Sequence, residues 1–102
     1  MINELGDVPW FIGCGFMKPH NPFIAPKKYF DLYPPGSLKI WRDPADMTIA
    51  RKEAVGFGEY GAAFAKFKDV EWSELLRAYC AGTSFMDAQL GRVLDALDKN
   101  KR

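Results

Sequence analysis

Gly15-Phe16-Met17-Lys18-Pro19-His20-Asn21-Pro22-Phe23 is the stretch on which the reading of this chain turns. It follows a short apolar run, Pro9-Trp10-Phe11-Ile12-Gly13-Cys14. Apolar on both faces, residues 9–16 read as a central strand of a parallel sheet covered on both sides. Pro19 and Pro22 then stop regular structure, because proline fixes its own φ, lacks an N–H and restricts the residue before it. Between them sits His20, the single histidine of the chain, two residues after Lys18. A strand that delivers a cation and an imidazole into a stiffened loop at its C-terminal end suits an anion site in an α/β protein. The chemistry such a pair supports is anion binding, with proton transfer near neutral pH.

Downstream of the loop, Ile24 to Tyr33 reads as a short helix. Pro26 suits its first turn, Tyr29, Phe30, Leu32 and Tyr33 give it an apolar face, and Pro34-Pro35-Gly36 ends it. Residues 37–68 read as irregular, with a turn at Arg42-Asp43-Pro44 and glycines at 56, 58 and 61. The C-terminal third reads as one long amphipathic helix. Asp69 is the expected N-cap, with Glu71 and Glu74 in the first turn, where the helix dipole favours negative charge. Trp72, Leu76, Tyr79, Met86, Leu90, Val93 and Leu97 recur at helical spacing on one face, and Lys99, Lys101 and Arg102 close the end. Gly82 and Gly91 each cost about 1 kcal/mol against alanine in a helix interior. Close approach of another element is the expected reason for such glycines. One strand cannot make a sheet, so the rest of the sheet is expected from sequence outside these residues.

The bulk numbers bound the function. The chain has 102 residues, room for at most one small domain. Hydrophobic content of 48% and aromatic content of 15% mark globular material. Fourteen basic against thirteen acidic residues give a net charge of +1. That balance creates no single-signed field for nucleic acid or an anionic membrane. No apolar run approaches the roughly 20 residues of a membrane span. The start, Met1 to Asp7, is acidic and has no basic region, so it does not read as a signal peptide.

Several other features read as structural. Gly56-Phe57-Gly58-Glu59-Tyr60-Gly61 matches a dinucleotide-binding pattern, but Arg51-Lys52-Glu53-Ala54 before it is no core strand, so a loop is expected. Cys14 and Cys80 read as buried free thiols, with no CxxC and no zinc spacing. Asp43 and Asp46 read as loop residues, Asp95 and Asp98 as a solvated helix face, and Asp87 as a buried hydrogen-bonding group that pins the helix.

The segment Phe11 to Phe23 resembles sulfatases of the iduronate-2-sulfatase type, in which a strand runs into a Gly-Phe-x-Lys-Pro-His-x-Pro-Phe loop. The likeness continues through Ala25-Pro26-Lys27-Lys28-Tyr29 and Leu32-Tyr33-Pro34. It returns from Ala78 to Leu97, where the family carries a Tyr-x-Ala-x-x-Ser-x-x-Asp-x-Gln-x-Gly-Arg-x-Leu helix. Residues 36–68 diverge. The resemblance implies an α/β, alkaline-phosphatase-like fold, of which residues 1–102 would be a central segment holding one core strand and the long C-terminal helix. It implies hydrolysis of sulfate esters by a formylglycine nucleophile, made from a cysteine in a Cys-x-Pro-x-Arg motif, with calcium holding the sulfate oxygens. Carried over residue by residue, His20 would hydrogen-bond the sulfate and protonate the leaving alcohol. Lys18 would offset negative charge on the sulfate or on a neighbouring acidic sugar group.

The departures are equally specific. Cys14 is followed by Gly15-Phe16-Met17-Lys18, so it is not a formylglycine site. Neither an Asp-Asp calcium pair nor an Asp-His-Gly metal-ligand strand occurs in the chain. Neither calcium nor formylglycine is therefore expected on residues of this chain, and the chain alone is expected to be inactive. Its expected partners are a sulfated carbohydrate or other sulfate ester and the rest of a sulfatase domain. The resemblance also covers choline sulfatases and phosphonate or phosphodiester hydrolases of the same superfamily. A stand-alone interaction module, docking through the apolar helix face, is the reading from a different class. Members of the family are commonly periplasmic, secreted or lysosomal.

Overall fold

The computed structural model of the chain describes Glu4, residues 8–40 and residues 66–100. The expected turn at Arg42-Asp43-Pro44, the loop aspartates Asp43 and Asp46, and the glycine run from Gly56 to Gly61 lie outside the described residues. Among the described residues there are two α-helices, α1 (Lys27–Phe30) and α2 (Asp69–Lys99).

Helix α2 is 31 residues long, which at 1.5 Å per residue spans about 46 Å. It starts one residue earlier than expected. Lys68 is the N-cap and Asp69 the first helical residue. The Glu71 carboxylate accepts the Lys68 backbone N–H at 2.9 Å, and Asp69 and Glu71 place negative charge at the positive end of the helix dipole. At the far end the Asn100 side chain donates to the Ala96 carbonyl at 2.6 Å, with Lys99 in the last turn. The helix runs unbroken through both glycines.

Helix α1 is a single turn, shorter than the Ile24–Tyr33 helix the sequence suggests. Prolines cut it at both ends. Ala25 precedes Pro26 and Tyr33 precedes Pro34, and a residue before proline is pushed out of the α region. Pro26 is the N-cap, with its carbonyl accepting the Tyr29 N–H at 2.9 Å. After Phe30 the chain closes two further turns, Tyr33 N–H to Phe30 carbonyl and Ser37 N–H to Pro34 carbonyl, both at 3.0 Å. In the second, Pro35 is followed by Gly36 at φ +76°, as a type II turn requires.

Residues 23–33 lie along α2. Tyr29 is buried, its ring centroid 5.3 Å from that of Phe85. The Tyr33 hydroxyl and the Ser84 hydroxyl hydrogen-bond at 2.7 Å. Arg77 donates through Nε to the Tyr33 carbonyl at 2.6 Å, and its guanidinium lies 5.4 Å from the centre of the Phe30 ring. Arg77, Ala81, Ser84 and Phe85 recur at helical spacing and form the covered face, with Ala81 fully buried. At 100° per residue this face lies roughly 180° around α2 from the Trp72–Leu97 stripe. On that stripe Tyr79 and Leu90 are exposed, as is neighbouring Leu94. Phe85 and Arg77 meet Tyr29 and Phe30 of α1, and Ser84 meets Tyr33 just beyond it.

The expected strand is absent: among the described residues there is none. Residues 9–17 take no regular structure. Phe11 is 93% exposed and Trp10 and Ile12 are half-buried. The physical reason is that a strand satisfies its N–H and C=O groups only on a neighbour, whereas a helix satisfies its own. An apolar run by itself has no ladder to join. Cys14, expected in the core, is exposed for the same reason, while Cys80 is half-buried on α2. Asp87 is also exposed and pins nothing, whereas Asp95 and Asp98 are exposed as a solvated face.

Candidate functional site

The loop between residues 17 and 24 is tied together by its own polar groups. The His20 N–H donates to the Met17 carbonyl at 2.9 Å, closing a four-residue turn, and the Ile24 N–H donates to the Pro22 carbonyl at 2.8 Å. The Lys18–Pro19 and Asn21–Pro22 peptide bonds are cis. The Lys18 ammonium reaches across the loop and donates to the Pro22 carbonyl. The His20 ring bonds through Nδ1 to the Asn21 carbonyl at 2.7 Å.

These two side-chain bonds fix what the groups can do. A carbonyl oxygen only accepts, so Nδ1 of His20 carries the proton in that bond. The ring is thereby oriented, with Nε2 left over. In the imidazolium form Nε2 is a second donor, suited to an anion or to a leaving oxygen. Lys18 has three donors and spends one on Pro22, so two remain. Neither Lys18 nor His20 forms an ion pair with a carboxylate among the described residues. The next two cations are already engaged. Lys27 pairs with Asp31 at 2.6 and 2.8 Å, and Lys28 sits 5.0 Å from the centre of the Tyr29 ring.

Helix α2 underlies the loop. Gly82 is buried, and a Cβ built there would lie 4.0 Å from the Pro19 Cα. One turn earlier on α2, Tyr79 meets the Phe23 ring edge-on, with centroids 5.8 Å apart and planes at 86°. At Gly91 nothing lies within 4 Å of such a Cβ, so close approach accounts for one of the two helix glycines. The contribution of Tyr79 and the carbonyl anchors Asn21 and Pro22 have no signature in the sequence. A glycine in a helix interior was the only hint of the contact at position 82.

Lys18 and His20 are thus held in one loop, as the sequence suggests, but on α2 and not at the end of a strand. Among the described residues no three His, Cys, Asp or Glu side chains cluster as metal ligands. Cys14 is exposed and lies outside any Cys-x-Pro-x-Arg motif. Among the described residues nothing offers a calcium-ligand cluster or a formylglycine precursor motif. No helix among the described residues is long and apolar enough to cross a membrane.

The loop thus carries an oriented imidazole and a lysine that meets no carboxylate among the described residues. The sulfatase family model matches residues 1–102, and the chain belongs to the sulfatase family. It is 36% identical to a sulfatase of Formosa agariphila over 93 residues, covering 87% of this chain and 18% of that protein. It is 29% identical to the iduronate 2-sulfatase of Mus musculus over 102 residues, covering 88% and 18%. It is 26% identical to the choline-sulfatase of Rhizobium meliloti over 97 residues, covering 91% and 19%. The chain therefore spans about a fifth of the length of these relatives. No solved structure matches it.

Proposed function

We propose that residues 1–102 are a central segment of the catalytic domain of a sulfuric ester hydrolase of the iduronate-2-sulfatase type, contributing the Lys18-Pro19-His20 wall of its sulfate pocket. The observation that carries this reading is the Nδ1 bond of His20 to the Asn21 carbonyl. It leaves Nε2 as the group that meets the substrate. As imidazolium, His20 donates to a sulfate oxygen or hands its proton to the departing alcohol oxygen. Lys18 stabilises the negative charge that grows on oxygen as the S–O bond breaks, and such preorganised donors are usually a large part of catalysis. The formylglycine nucleophile and the calcium ligands typical of the family would come from residues outside this chain. The substrate is a sulfated carbohydrate or another sulfate ester.

The test is made in the longest protein that contains this segment. His20→Gln keeps a hydrogen-bonding side chain but has no proton to transfer. With an alkyl sulfate, whose alkoxide leaves poorly, kcat/KM should fall by about 10²- to 10⁴-fold. With nitrophenyl sulfate the fall should be much smaller, because nitrophenolate leaves without a proton. Equal losses on the two substrates would remove the acid role from His20.

A further inference from the structure

We infer that the Tyr79–Gly82 face of α2 is the seat on which the Lys18–His20 loop is positioned, with Gly82 as a positioning residue. Pro19 lies between the two functional residues, and its Cα is the neighbour a Gly82 Cβ would meet. Phe23 ends the loop and rests on Tyr79, three residues earlier along the same helix. The loop is thus held at its middle and at its end by adjacent positions of one rigid element. Its internal bonds, Lys18 to Pro22 and His20 to Asn21, make it move as a unit.

The seat tolerates one methyl group and no more. At 4.0 Å an alanine Cβ makes ordinary van der Waals contact with Pro19. A leucine at position 82 has further atoms beyond Cβ, and helical side chains lean back toward the preceding turn. There they meet both Pro19 and the Phe23 ring. The helix itself is no weaker, since leucine is a better helix former than glycine. The consequence of Gly82→Leu falls on the loop.

The functional half of this inference rests on the sulfate-pocket reading; the structural half does not, and one experiment separates them. His20 is the single histidine of the chain, so its imidazole cross-peak in a proton–carbon NMR spectrum is unambiguous. In the full 102-residue chain, Gly82→Ala should leave that peak and the Phe23–Tyr79 ring contact in place. Gly82→Leu should move the peak and abolish the ring contact, with helical circular dichroism retained. Tyr79→Ala, which leaves position 82 untouched, should also move the His20 peak. Inorganic sulfate should then bind Gly82→Leu at least about tenfold more weakly than wild type or Gly82→Ala, as expected for a lost hydrogen bond to a charged group. An unmoved His20 peak and an intact ring contact in Gly82→Leu would overturn the seat. A displaced loop that binds sulfate as tightly as wild type would overturn Gly82 as a positioning residue for sulfate. If wild type itself binds no sulfate, the ring contact alone decides the seat, and the pocket reading is decided by the two-substrate test on the longer protein.

Discussion

Residues 8–17 and residues 23–33 are both aromatic and apolar, yet they fare differently. The first carries Trp10, Phe11, Ile12 and Phe16, and the second Phe23, Tyr29, Phe30 and Tyr33. In the first, Phe11, Phe16 and Met17 are exposed. In the second, Tyr29 is buried on Phe85, Phe23 sits on Tyr79, and the Tyr33 hydroxyl bonds to Ser84. Hydrophobicity does not separate them. The second segment closes its own backbone bonds in a helical turn and one further turn, and then meets α2 through its side chains and the Tyr33 carbonyl. The first needs another strand's backbone before it can form, and among the described residues there is none. Apolar content sets the gain from burial, but self-sufficient backbone bonding decides which segment collects it.

The largest effect should come from breaking the segment that docks. Tyr29→Ala removes the buried ring against Phe85 and should cost about 3 kcal/mol, at the low end for aromatic truncation. Urea unfolding of the chain, followed by near-ultraviolet circular dichroism, would read it. A loss under about 1 kcal/mol would mean that Tyr29 does not anchor α1. Tyr33→Phe isolates one bond, the hydroxyl to Ser84 at 2.7 Å, and should cost about 1 kcal/mol. The same substitution made with Ser84→Ala should cost little more than either alone, and independent, additive losses would show that the pair does not interact. The smallest effect belongs to the segment that does not dock. Phe11→Ala should change the stability of this chain by less than about 0.5 kcal/mol, because Phe11 is 93% exposed. A loss of several kcal/mol would show that residues 9–16 are buried as a core strand after all, and the contrast would vanish.

Some of the molecule was legible in the residues. The long helix followed from three- and four-residue spacing, acidic residues in the first turn and a basic last turn, and it runs as one piece. The break at Pro34-Pro35-Gly36 followed from proline geometry and from the freedom of Gly36 at positive φ. The family membership followed from the Gly-Phe-x-Lys-Pro-His-x-Pro-Phe loop and the Ala78–Leu97 block, and the family model covers both. Other readings missed. The strand, the buried Cys14 and the buried Asp87 all assumed neighbours that only non-local contacts could supply. The docking of α1 on the Arg77–Phe85 side of α2, away from the Trp72–Leu97 stripe, had no signature in the sequence.

The sequence by itself determined the helix, the proline-stiffened loop and the chemical identity of Lys18 and His20. These depend on local backbone restriction and on side-chain type, which neighbouring residues alone fix. Only the tertiary structure decided that the loop lies over Gly82 and Tyr79 and that residues 29–33 pack on Arg77, Ser84 and Phe85. The ring orientation of His20, set by the Asn21 carbonyl, was likewise a matter of three-dimensional geometry. The contacts with α2 join residues 44 to 63 positions apart, and choosing among them depends on shape and on the entropy of closing the chain between them, neither of which is written at any single position.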